Sequence, residues 1–416
     1  MEDQARGGPP LATTSFLYHA QGIRGYQHLR TEYRSGACFH HVSMAEEKRA
    51  CAACGAGPEC LTLDGRFERT FRAAPVGGRP EFIVLHGHQQ HCMACGTRRR
   101  EPIRFADGSR SYTKRFGQFL LQLCASMTLK DVARRLGVGW DLVKELHKAS
   151  LQRRVRRRKL SKVRRIGIDE FAVRKGHSYM TVVVDLDSGH VLHVGDGKGA
   201  SAVEGFLRRL KRARAPVVAA AMDMSGGYAA AVRRGWGGRV LIVHDRYHVV
   251  ALANKAVDET RRDLVRKLTG VERRGLKGTR YRWLYAAEEL NDHAIDGLLL
   301  MAGEYEPLVL AWLMKELLRD FWSLPSAGAA NRFLDSWIRA ARELDNRHFD
   351  TLATTLETRR AGLVAWFQHP ITTGPVEGLN NKIKVLKRVA YGYRDDEYFK
   401  LRLLTLHEAR VALTAG

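Results

Sequence analysis

Two cysteine pairs and three widely spaced acids are the residues of this chain whose types and spacing could do chemistry. Cys51 and Cys54 in "CAACG", and Cys92 and Cys95 in "CMACG", repeat one CxxCG pentapeptide. Each CxxC turn offers two thiolates to one ion, and four thiolates close a tetrahedral Zn²⁺ site. The stretch between the pairs is longer than an ordinary finger spacing and predicts a zinc ribbon with a long strand excursion. His86, His88 and His91 stand close before Cys92 and compete as ligands, although the all-cysteine set is simpler. Cys38, Cys60 and Cys124 fall outside the pattern and read as structural. An odd total of seven cysteines argues against a disulfide framework.

The acids are Asp169 in "IGIDEF", Asp223 ending "VVAAAMD", and Glu377 in the helix "GPVEGLNNKIKVLKR". Two-metal phosphoryl transfer needs carboxylates that clamp ions about 3.5–4 Å apart. Mg²⁺ takes only one or two carboxylates per ion, so three acids suffice. Asp169 and Asp223 fall on strands expected to be neighbours, about 4.8 Å apart. Asp245 in "HDRYH" is expected one strand further out, roughly 10 Å from Asp169, and bridges less well. Asp185 and Asp187 flank a turn, and Glu170 alternates to the face opposite Asp169. Singly, a strand-end Asp is more often a cap or turn residue. Glu377 alone needs no metal either, because a helix N-terminus favours an acid. Together they make a site, for Asn381 and Lys384 follow Glu377 at i+4 and i+7 and Arg388 extends the row.

The elements that must position these residues follow from the patterning. Short alternating runs in residues 1–100 predict a small zinc-binding, ribbon-like domain. Residues 101–150 turn helical, and "TLKDVARRLGVGWDLVKELHKAS" fits a helix-turn-helix. Val132, Ala133 and Leu136 point inward from its first helix, Gly137 makes the turn, and Val143 and Leu146 point inward from the second. That second helix is expected in the major groove. Residues 151–165 form a basic linker, with nine cations in the thirteen residues from Arg153. From residue 166 to the end the pattern is α/β. It reads as three antiparallel strands, helix, strand, helix, strand, then a helical insertion at about 250–368. This is the order of a ribonuclease-H-like sheet. Of the seven tryptophans, Trp283, Trp312, Trp322, Trp337 and Trp366 fall in the insertion and read mostly as core.

The 416 residues carry a net charge of +25, from 69 Lys and Arg against 44 Asp and Glu. Such an excess calls for a polyanionic partner. No apolar run approaches the ~18 residues of a membrane span, and "MEDQARGGPPLATT" lacks the features of a signal peptide. A cytoplasmic protein is expected. Arg153, Arg154, Arg156, Arg157, Arg158 and Lys159 in the linker are expected to contact DNA. So are Asn380, Asn381, Lys382, Lys384, Lys387 and Arg388 on the Glu377 helix.

The segments "IGIDEFAVRKGHSYMTVVVDLDSGHVLHVGDGK", "MDMSGGYAAAV", "HDRYHVVALANKAVDETRR", "LKGTRY" and "TTGPVEGLNNKIKVLKRVAYGYRDDEYFKLRLL" resemble the transposases of the ISL3 insertion-sequence family. The resemblance extends over nearly the whole chain but not to the tail before about Ser15. It implies a DDE transposase whose ribonuclease-H-like core is interrupted by an all-helical insertion, with Asp169, Asp223 and Glu377 as its acids. It also implies two Mg²⁺ ions, for which Mn²⁺ substitutes, beside the structural Zn²⁺. The expected partners are the terminal inverted repeats, target DNA and a second copy in a homodimer or larger oligomer. In related families a C/D-x-x-H motif follows the second acid, and "DRYH" matches it with Asp245 and His248. These two are expected to shape the site. The rival readings are a ribonuclease-H-like nuclease without strand transfer and a non-catalytic DNA-binding regulator.

Overall fold

The computed structural model describes residues 16–174 and 178–408, apart from the side chains of Ala302, Glu377 and Glu408. The tail before Ser15 therefore lies outside the described residues. The chain divides into two compact units at Arg153/Arg154.

The first unit opens with a helical turn, α1 (Phe16–His19), and a mixed sheet: β1 (Tyr26–Arg34), β2 (Ala37–Met44), β3 (Leu61–Val76), β4 (Arg79–Cys92) and β5 (Arg98–Arg100). The order is β1-β2-β4-β3, with β5 also on β4. The long β3–β4 hairpin is the predicted excursion. It leaves one cysteine pair and returns to the other, with Leu61 opposite Cys92. One face closes over Val42, Phe71, Ile83 and Leu85, all fully or almost fully buried.

Three helices follow: α2 (Lys114–Leu123), α3 (Leu129–Leu136) and α4 (Trp140–Arg156). The Thr128 hydroxyl caps α3 by accepting from the Asp131 amide, 3.2 Å away. Gly137 ends the helix at φ +61°, a left-handed conformation that suits glycine. Val132, Ala133, Leu136, Val143 and Leu146 share one buried cluster.

The second unit is built on a five-stranded sheet of order β10-β9-β6-β7-β8. Its strands are β6 (Arg165–Arg174), β7 (Ser178–Asp185), β8 (Val191–Asp196), β9 (Ala219–Met222) and β10 (Leu241–His244). The first three run antiparallel as a meander, while β9 and β10 run parallel to β6. On one face lie α5 (Ala200–Arg212) and α6 (Gly226–Trp236).

After β10 the chain turns helical, as expected. The insertion comprises α7 (Arg246–Lys267), α8 (Gly270–Gly275), α9 (Arg280–Leu284), α10 (Asp292–Leu300), α11 (Ala302–Arg319), α12 (Ala327–Glu343) and α13 (Arg347–Val364). Trp283, Trp312, Trp322 and Trp337 are at most 5% exposed in its core, so these four are packing residues. The chain ends with α14 (Gly374–Val389) and α15 (Asp396–Leu404), which pack on the other face of the sheet.

The basic run is less of a free linker than its composition suggests. Its first four residues complete α4, and Leu160 and Val163 are buried against the second unit's core. Arg158 donates to the carbonyls of Val191, at 2.6 Å, and Leu404, which ties β8 to α15.

Candidate active site and metal centre

The register of three parallel strands brings the acids together. Ile168 pairs with Met222 on β9, and Met222 pairs with His244 on β10. Asp169, Asp223 and Asp245 each come one residue later, so they stand side by side, Asp169 within β6 and the other two just past the ends of β9 and β10.

The helix α14 is seated along β6 by the strand's alternate residues. A Cβ on Gly167 would lie 3.0 Å from Val376 Cγ2 and 2.9 Å from Leu186 Cδ2, so glycine admits the first turn of α14. Two residues on, Asp169 Oδ2 accepts from the Asn380 amide at 3.1 Å. Phe171 joins Ile383 in one apolar cluster. At the far end Lys387 donates its ammonium to the carbonyls of Ala172 and Val173. Positions 376, 380, 383 and 387 of α14 thus follow 167, 169, 171 and 173 of β6. Glu377 lies in the first turn of that helix; its side chain is outside the described residues.

Asp169 is half-buried, and desolvation pushes its carboxyl above the usual range. The Glu170 backbone N–H, His248 and the Asn380 amide oppose that shift, and Asp223 adds to it. An acid that is costly to ionise alone is suited to a cation. Asp223 Oδ1 accepts from the Ser225 amide at 2.9 Å, in the turn before α6.

Asp245 has a different use. One carboxylate oxygen caps α7 by accepting from the Tyr247 amide at 3.0 Å. The other accepts from the Thr373 amide, also at 3.0 Å, at the start of α14. A single 3%-exposed carboxylate therefore fixes the beginnings of two helices. His248, in the first turn of α7, lines the cleft.

Glu170 does alternate away from Asp169, towards α6. Its Oε2 accepts from the buried Tyr228 hydroxyl at 3.2 Å. Asp185 and Asp187 serve the β7–β8 turn: Asp185 accepts from the Asp187 amide and the Ser188 hydroxyl.

Asp169, Glu170, Asp223, Asp245 and His248 line an open cleft of about 730 Å³. Its floor carries Asp169, Asp223 and Asn380, and its cationic lining includes Arg246, Lys315, Arg319 and Lys384. Lys315 is 1% exposed and donates to the carbonyls of Trp283 (3.1 Å) and Tyr285 (2.6 Å), pinning a segment of the insertion wall. Of the expected DNA contacts on α14, Asn381 and Lys384 face the cleft and Lys382 and Arg388 are exposed. Asn380 and Lys387 are engaged with β6 instead. Periodicity along α14 could not separate these, because it does not say which row of the helix meets the strand.

Sequence reasoning passed over His244. Its ring is 3% exposed, its Nδ1 donates to the Asp223 carbonyl at 3.2 Å, and it packs onto Gly362 of α13. Burial, first of all, pushes this imidazole's pKa down. Its place before the more obvious "DRYH" was the available signal.

In the first unit, Cys51, Cys54, Cys92 and Cys95 each place a sulfur within 4.8 Å of the other three. Cys51 Sγ is 3.7 Å from Cys95 Sγ, and Cys54 Sγ is 3.6 Å from Cys92 Sγ. A tetrahedron with Zn–S bonds of about 2.3 Å has edges of about 3.8 Å, so the four sulfurs fit a Zn²⁺-sized ion. Two of the three histidines are used elsewhere: His86 bonds to His41 at 2.8 Å, and His88 lies beside Glu101.

Residues 166–403 match the family model for the DDE-type transposase of family ISL3, and residues 101–146 match the helix-turn-helix domain of transposase family ISL3. The chain is 32% identical to the transposase for insertion sequence element IS1001 of Bordetella parapertussis, over 85% of this chain and 87% of that protein. It is 26% identical to the transposase for insertion sequence element IS1557 of Mycobacterium tuberculosis, over 88% and 87%. Among solved structures it is similar to the Drosophila P element transposase strand transfer complex, with a TM-score of 0.38 and 10% identity over 75% of this chain and 95% of that one. A likeness so distant carries no weight for the fold.

Proposed function

We propose a reaction from one premise: the chain belongs to the ISL3 family of transposases. In this reading the second unit is a ribonuclease-H-like core, and Asp169, Asp223 and Glu377 hold two Mg²⁺ ions, with Mn²⁺ as a substitute. The observation that carries it is the alignment of Asp169 and Asp223 on neighbouring strands, with the first turns of α14 seated over them.

Bound in that cleft, the metal supplies Lewis-acid activation of the phosphodiester and of the attacking oxygen. The protein's own groups do the rest. Asn380 fixes one oxygen of Asp169, and the Glu170 amide fixes the other at 2.8 Å. Asp245 holds the start of α14 so that the turn carrying Glu377 cannot drift. Lys384 and Arg246, at the cleft surface, meet negative charge as it develops on the transferring phosphate. Water attacks at the end of the element, and the freed 3′-hydroxyl then attacks target DNA.

The helix-turn-helix supplies recognition, with α4 in the major groove of the terminal inverted repeat. The four cysteines hold structural Zn²⁺. A homodimer or larger assembly pairs the two ends. The test is cleavage of a labelled terminal repeat. Asp169→Asn is expected to bind the repeat normally and to cleave at least about 100-fold more slowly. Wild-type cleavage by that variant would remove Asp169 from the chemistry.

A further inference from the structure

We infer that β5, the strand leaving the four-cysteine cluster, is a DNA-backbone contact separate from the helix-turn-helix, and that the bound ion sets its strength. Arg98, Arg99 and Arg100 make up the whole strand, and all three are exposed. The strand pairs along Gln89–His91 of β4. Alternation places Arg98 and Arg100 on one face and Arg99 on the other, so the arginines straddle the strand. Arg66 is exposed nearby on β3, opposite His88.

An exposed edge often carries a charge to block strand addition. Three consecutive arginines exceed that need in a chain of +25. Acids do little to neutralise them. Arg98 lies 3.5 Å from Asp64, while among the described residues no carboxylate pairs with Arg99 or Arg100. Arg100 rests over the Phe67 ring at 5.1 Å, which supports the guanidinium without discharging it. Arginine clusters with this freedom suit phosphodiester oxygens, which carry charge but no sequence information.

The link to the ion is covalent and short. The turn carrying Cys92 and Cys95 is closed by the Gly96 amide donating to the Cys92 carbonyl at 2.8 Å, and by the Cys92 amide donating to the Thr97 carbonyl at 3.0 Å. Arg98 is the next residue. An ion that fixes the two sulfurs therefore fixes the root of β5, and its removal frees a three-residue strand.

The measurement is binding of the full-length, zinc-loaded protein to a fluorescent duplex of arbitrary sequence across a salt series, without Mg²⁺. Replacing Arg98, Arg99 and Arg100 together by Ala is expected to flatten the slope of log K against log salt by about two to three units, near 0.9 per lost phosphate contact. Replacing all three by Lys should keep the wild-type slope. Chelating zinc from the wild type should reproduce much of the flattening, reversed by added Zn²⁺, and should change the alanine variant little. Zinc content reports whether each variant is folded at the cluster; if the alanine variant loses zinc, Gln replaces Ala. A neutral variant with full zinc and an unchanged slope overturns the inference. The slope is read without Mg²⁺ and without cleavage, so a failure here is distinct from a failure of the proposed reaction.

Discussion

Asp169 and Asn380 show what one hydrogen bond adds to an acid proposed to hold metal. The sequence places Asn380 in a polar stripe and suggests DNA contact. In the fold its amide is spent on Asp169, and its buried Oδ1 has no partner among the described residues. A group that orients a ligating carboxylate typically contributes 10–100-fold to metal affinity or activity. Asn380→Ala is therefore expected to raise the Mg²⁺ concentration for half-maximal cleavage by roughly that factor, with DNA affinity unchanged. A Mg²⁺ titration of cleavage beside a binding curve checks it; weaker DNA binding with an unchanged Mg²⁺ midpoint would return Asn380 to the DNA interface. Asp169 and Asp223 stand out in the sequence because each ends or interrupts an apolar run. The bond from Asn380 to Asp169 does not, since the two residues are 211 apart in the chain.

At the scale of elements, the fit of α14 on β6 decides whether the site exists. Gly167 is the close point of that fit. Gly167→Val drives a branched side chain into the fully buried Val376 and should destabilise the protein by about 1–3 kcal/mol, read as a lower thermal midpoint. An unchanged midpoint would mean that α14 moves away freely. Asp245 is the second fixture. Asp245→Ala leaves two backbone N–H groups without their acceptor, one at a helix cap, and should cost about 2 kcal/mol or more. Asp245→Asn keeps one acceptor oxygen and should cost less. Denaturant unfolding of the two variants tests the order. Strand order and the extent of the insertion could be read from alternation and turns. The link from Asp245 to Thr373 could not, because it joins residues 128 apart in sequence. Lys387 was misplaced for a related reason: only the packed helix shows that its row meets carbonyls of β6.

At the scale of the whole molecule, charge and spacing foretold a basic DNA-acting protein with a cysteine site, and the sulfur positions agree with the CxxCG repeat. The basic run was legible as charge but not as structure. Part of it is helix, part is core, and Arg158 binds two carbonyls. No helix among the described residues is long and apolar enough to cross a membrane. The central claim is that one cleft, built from β6, β9 and α14, both cleaves and joins DNA. The measurement closest to it incubates the purified protein and Mg²⁺ with labelled DNA from both flanks of its gene and a target plasmid, beside Glu377→Gln. The expected result is end cleavage and labelled ends joined to plasmid with the native protein, and neither with the variant. Equal activity in the variant, or cleavage by the native protein without any joined product, would contradict it.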